Sequence, residues 1–188
     1  MKNLKTIALA LALVLTTATI NAQTKKINAS TSSINWVGKK VTGKHNGTVN
    51  FKEGKLTFKA NKLAGGTFTV DMTSLTATDL SGEYQGKLNG HLKSEDFFGT
   101  EKYPTSTLVI KKITAKSNDV YTVMADLTIK GKSNPVNFEL TVKGNTASTK
   151  FNVDRTKYDI KYGSGSFFDN LGDKAISDEF ELAIDLKF

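Results

Sequence analysis

The sequence has no cysteine, and that absence closes off several classes of protein at once. A disulfide scaffold, a thiolate zinc site, an iron–sulfur cluster and a cysteine nucleophile are excluded. So is a lipoprotein anchor through an N-terminal Cys. Histidine occurs only twice, as His45 and His91, which leaves little for a His-rich metal site. Arginine is scarcer still: of 26 basic residues, Arg155 alone is not a lysine. Readers of nucleic acid depend on arginine forks for phosphates and base edges. A net charge of +8 carried almost wholly by lysine therefore reads as solvated strand faces, with no nucleic-acid partner. The nucleophile elbow, the phosphate loop and the dinucleotide fingerprint are all missing. The run YGSGSFF has glycine and serine but no lysine placed to hold a phosphate. No residue is singled out as catalytic or as a metal ligand.

The first 22 residues stand apart. Lys2 and Lys5 precede an apolar run from Ile7 to Leu15, and small Ala22 follows. That is the order of a secretory signal peptide cleaved near Ala22. The apolar run is shorter than the roughly 20 residues a spanning helix needs. The expectation is a leader over 1–22 and a single domain over 23–188, exported to the periplasm. Without Lys2 and Lys5, 24 basic residues face 18 acidic ones, a net +6.

What remains is dominated by two-residue alternation. Phe68, Val70 and Met72 alternate with Thr67, Thr69 and Asp71. Tyr121, Val123, Ala125, Leu127 and Ile129 alternate with Thr122, Met124, Asp126 and Thr128, and Val136 to Val142 and Phe180 to Phe188 alternate in the same way. One apolar and one wet face per strand is the mark of an antiparallel sheet. Turn residues such as Gly54, Gly65-Gly66, Asn118-Asp119, Gly131 and Gly144-Asn145 divide the chain. Eight or nine strands are expected near 33–42, 46–53, 55–60, 64–74, 105–116, 120–130, 135–143, 147–157 and 178–188. An all-antiparallel chain must hide its edges, either by closing into a barrel or by packing two sheets. The long, regular last strand favours closure against the first.

Two stretches break the alternation. Tyr84, Leu88 and Leu92 recur every four residues, which predicts a short helix over about 84–95. Residues 158–177 form a loop rich in glycine. Each stretch carries a phenylalanine pair, Phe97-Phe98 and Phe167-Phe168, that suits either a cavity lining or a plug at a barrel end. Arg155 shares parity with Phe151 and Val153, so its stem should point inward. A buried charge needs a partner. That partner is either a polar ligand group or a carboxylate such as Asp169, Asp173 or Asp178; if the strand ends before Arg155, the side chain is simply exposed.

The runs VTGKHNGTVNFKEGKLTF, GGTFTVDMTSL, GHLKSEDFFGTEKYPTSTL, DLTIKGKSNPVNFEL and FNVDRTKYDIKYGSGSFFDNLGDKAISDEFEL together resemble the YceI-like family of secreted bacterial proteins. The resemblance extends from about Ile34 to Phe188. It implies an all-β fold, an antiparallel eight-stranded lipocalin-like β-barrel with one short helix between strands. It further implies a pore that holds an isoprenoid-type lipid, polyprenyl or quinone, with no other cofactor. On that reading Phe58, Phe68, Val70, Met72, Phe138, Phe151 and Phe180 line the pore. Leu92, Phe97, Phe98, Phe167 and Phe168 stand at its end, and His45, His91 and Arg155 are the polar residues for a head group. A brief contact with a membrane surface and a homodimer remain open. Two other readings compete: a hydrolase or isomerase of a small amphiphile with His45 or His91 as base, and a ligand-free structural barrel.

Overall fold

The computed structural model describes residues 22–188. The expected leader therefore lies, apart from Ala22, outside the described residues. Nine strands and one α-helix follow one another: β1 (Ala22–Lys26), β2 (Ser33–Lys40), β3 (Gly43–Lys59), β4 (Lys62–Ala77), α1 (Gly82–Lys93), β5 (Thr105–Ala115), β6 (Val120–Ile129), β7 (Lys132–Lys143), β8 (Thr146–Asp154) and β9 (Ile176–Lys187).

All pairings are antiparallel, and eight strands close on themselves. Each strand from β2 to β9 pairs with the next, and β9 pairs back onto β2. The ninth strand, β1, is an addition. It pairs with Lys55–Lys59 of β3, beyond Gly43–Val49, where β2 pairs. Closure removes the free edges that an open sheet would expose. The barrel follows directly from the alternation: along β6 every second residue from Tyr121 to Ile129 is buried.

Two sequence expectations need correction. Residues 46–53 and 55–60 are not separate strands but one, β3, and Gly54 is not a turn. Its reason is packing. A Cβ on Gly54 would stand 2.5 Å from Phe68 Cδ1 and 2.9 Å from Ile27 Cδ1. The strand bends there through register shifts instead, one of them between Phe51 and Glu53. The helix, expected over 84–95, runs from Gly82 to Lys93, and Tyr84 faces solvent at 74% exposure. Leu88 and Leu92 carry its contact with the core.

Polar side chains fasten α1 to the end of β4. Gln85 Nε2 donates to Ala77 O (2.7 Å), the Ala77 amide donates to Asn89 Oδ1 (2.8 Å), and Asn89 Nδ2 donates to Thr76 Oγ1 (3.0 Å). The helix thus crosses one end of the barrel. The opposite end is packed solid. Leu56, Val123 and Ala125 have no exposed surface, and Phe58 packs on Phe188 at 5.8 Å between ring centroids. Lys25 Nζ covers those two rings from 5.4 and 5.3 Å.

Candidate functional site: an apolar cavity inside the barrel

Between the helix end and the solid end the barrel is hollow. The cavity, about 160 Å³, follows the inward face of β9 from Ile176 through Phe180, Leu182 and Ile184 to Leu186. Ten residues of strand cover roughly 30 Å. An apolar cavity of about 150 Å³ admits one benzene. A similar volume drawn out over that length is a narrow bore rather than a chamber. Leu182 and Ile184 are only half-buried although they point into the barrel, because the surface they keep faces this bore.

Several polar members of the wall are tied to neighbouring groups. Ser106 Oγ donates to Thr128 O at 2.7 Å, and Thr149 Oγ1 donates to Glu139 O at 2.6 Å. Ser177 Oγ accepts from the Glu179 amide at 3.2 Å. Little is left to bind a polar ligand group.

Arg155 closes the helix end. It is 3% exposed and opens a 3₁₀ turn, Arg155–Tyr158, immediately after β8. Nε donates to Ser177 O (2.9 Å), one terminal nitrogen to Ile160 O (2.7 Å) and the other to Ile176 O (3.0 Å). Asp178 lies 3.6 Å away, and the Phe97 ring centroid 5.8 Å away. Burial pushes the guanidinium pKa down, while Asp178 and Asp154 push it back up. Burial also pushes the Asp178 carboxyl up, yet hydrogen bonds from Ser164 and Ser166 and the charge of Arg155 hold it below the usual range. Three of the five guanidinium donors thus go to backbone carbonyls. Arg155 lines the cavity as a clamp on the loop, not as an open anion receptor.

The two histidines stand elsewhere. His45 Nδ1 meets Asp79 Oδ2 at 2.9 Å, and the Asn46 amide donates to the other oxygen at 3.2 Å. Partial burial raises the Asp79 pKa, but these bonds outweigh it and hold the carboxyl low. The pair pins the β2–β3 hairpin to the β4–α1 connection, and neither residue lines the cavity. His91 packs edge-on against both Phe97 (4.9 Å) and Tyr162 (4.5 Å), whose rings lie 5.9 Å apart, and is not itself part of the wall. Among the described residues no group of three acidic or histidine side chains is gathered as a metal would need.

Of the aromatic and aliphatic residues expected to line a pore, Phe68, Val70, Met72, Leu92, Phe97, Phe98, Phe138, Phe151 and Phe180 line this cavity. Three do not. Phe58 packs on Phe188 at the other end of the barrel and is not part of the cavity wall. Phe167 and Phe168 are 49% and 51% exposed, and Lys161 Nζ sits 4.9 Å over the Phe167 ring. Trp36, Phe51, Leu108, Ile110, Leu182 and Ile184 complete much of the wall and were not singled out. Their signal is present in the parity of 34/36, 49/51, 108/110 and 182/184.

The model of one family, the YceI-like domain, matches residues 26–188. The chain belongs to the YceI-like family. A relative in Shewanella denitrificans, a UPF0312 protein, is 30% identical over 100 residues. That match covers 53% of this chain and spans about half of the curated relative, 48% of its length. Among solved structures, Burkholderia cenocepacia BcnA superposes with a TM-score of 0.68 at 23% identity, covering 85% of this chain and 98% of BcnA. A polyisoprenoid-binding domain from Saccharophagus degradans, implicated in plant cell wall breakdown, gives 0.56 at 14% identity, covering 89% of this chain and 98% of that domain. These likenesses show that the chain shares its fold with both solved structures.

Proposed function

We propose that this YceI-like protein is a periplasmic carrier that holds the single apolar chain of an isoprenoid-type lipid, polyprenyl or quinone, without chemical change. The observation that carries this reading is the long apolar bore itself, bordered by Arg155 and the helix at one end and by packed core at the other. Its wall is mostly hydrocarbon, with several of its few polar groups already hydrogen-bonded, so burying hydrocarbon is what it offers. Each five-carbon unit removed from water contributes about 3–4 kcal/mol. Association costs about 4–15 kcal/mol, so several units must enter before binding is tight. The resting bore is narrow, and half-buried rings such as Phe98 and Phe180 turn aside as the tail threads in. A two-tailed lipid or a fused-ring sterol has no equivalent path. The leader-like first 22 residues support export, and the polyisoprenoid-binding domain of Saccharophagus supports the ligand class.

The test is organic extraction of the purified protein after incubation with a long polyprenol, with quantitation by mass spectrometry. Saturable uptake near one chain per protein is expected. Clean extracts with no saturable uptake would remove the carrier reading.

A further inference from the structure

Gly38 is the one glycine in the cavity wall. It shares parity with Ile34 and Trp36, which both face the bore. Its backbone does not require glycine, since it is absent from the residues with left-handed φ. Its packing does not require it either. An ideal Cβ on Gly38 would meet nothing within 4 Å, whereas one on Gly47 would stand 1.9 Å from Thr76 O. Glycine in a strand costs roughly 0.5–1 kcal/mol relative to alanine.

A cross-strand aromatic often covers such a glycine. Phe180 is the direct partner of Gly38 across the β2–β9 ladder, yet its ring leaves the Cβ position empty. The ladder also loosens at this level. It runs in register from Ser33 to Gly38, and the next pair is Lys40 with Ile176, two residues on one strand against four on the other. The empty volume beside Gly38 therefore lies at the helix-proximal end of the bore, where Ile176, Phe180 and Arg155 also border the cavity.

We infer that Gly38 sets the girth of the chain the barrel admits: its missing side chain leaves a notch that the branch methyls of an isoprenoid need and a straight alkyl chain does not. This deepens the carrier reading and rests on it. Larger residues at position 38 grade the bore from a Cβ that itself meets nothing within 4 Å.

The experiment compares wild type, Gly38→Ala, Gly38→Val, Gly38→Phe and, as an outward-facing control on the same strand, Lys39→Phe. Each is incubated with a polyprenol or with a straight-chain alcohol of matched length, and extracted loading is measured beside the melting temperature. The expected result is that Gly38→Ala and Gly38→Val melt at or above wild type. Gly38→Val should keep the straight chain but lose polyprenol affinity by tenfold or more. Gly38→Phe should lose both, and Lys39→Phe neither. Equal loading of both chains by wild type and Gly38→Val would overturn the inference, as would parallel loss of both by Gly38→Val. Wild type that takes up neither chain would instead overturn the carrier reading beneath it.

Discussion

The rings of Phe138 and Phe151 stack 4.7 Å apart and 14° from parallel, across a seam that the backbone leaves mostly unzipped. Strands β7 and β8 share only three ladder pairs, from Thr141–Ser148 to Lys143–Thr146. Beyond them side chains take over: the stack, the Thr149 hydroxyl on Glu139 O, and Asn134 Nδ2 on Lys157 O at 2.9 Å. Every other neighbouring pair around the barrel has five or more ladder pairs.

Aromatic rings thus stand in for missing main-chain bonds. Phe138→Ala and Phe151→Ala should each lower stability by about 2–4 kcal/mol, less than for a ring in solid core because one side borders the bore. A double-mutant cycle by urea unfolding should return a coupling of roughly 0.5–1.5 kcal/mol. Additive losses would mean the stack does not hold the seam.

Arg155→Lys should destabilise the protein by about 2–4 kcal/mol, because an ammonium cannot serve three carbonyls in a plane. Urea unfolding measures it. A neutral substitution would show that the guanidinium bonds to Ser177, Ile160 and Ile176 carry no weight.

Tyr158 supplies a pH test. Its side chain is 1% exposed and its hydroxyl has no hydrogen-bond partner. Burial, with the charge of Asp154, pushes its pKa up to about 12. An unfolded tyrosine titrates near 10. The neutral ring therefore contributes stability that is fully present below about pH 10 and is lost as pH rises toward 12. Tyr158→Phe should leave stability at pH 7 unchanged or slightly higher and should flatten this alkaline loss. Melting curves from pH 7 to 11 decide it.

Phe167 and Phe168 give a contrast. Half-exposed on their loop, they should tolerate replacement by serine with stability changes within about 0.5 kcal/mol. Polyprenol loading by that variant should match wild type, as measured by extraction. A loss of loading would move the mouth of the cavity onto this loop.

The barrel was legible because strand parity is a strict two-state code: once Phe68, Phe138, Phe151 and Phe180 are placed on one face, closure brings them together. The same code pointed the Arg155 stem inward although β8 ends at Asp154, and the sequence offered Asp178, which lies 3.6 Å away, but parity was silent on the hydrogen bonds of the guanidinium. Those bonds go to backbone carbonyls of β9 and of the loop that follows the 3₁₀ turn, which no side-chain pattern announces. Phe167 and Phe168 were misleading because a loop has no parity, and two adjacent rings look alike whether they seal a cavity or face water. Phe58 has the right parity but the wrong level: alternation says which face a residue takes, not how far along the axis the hollow extends. Gly54 was read as a turn because composition cannot distinguish a glycine that turns the chain from one that makes room for Phe68 and Ile27.

Trp36 offers the most direct measurement. It is the only tryptophan in the sequence, it is 8% exposed, and it lines the bore. Its emission should be quenched by an isoprenoid chain brominated along its length, saturably, with one site per protein, and the quenching should be reversed by unlabelled polyprenol. Emission that does not change, or that falls in simple proportion to added quencher and ignores the competitor, would mean that no chain enters the barrel.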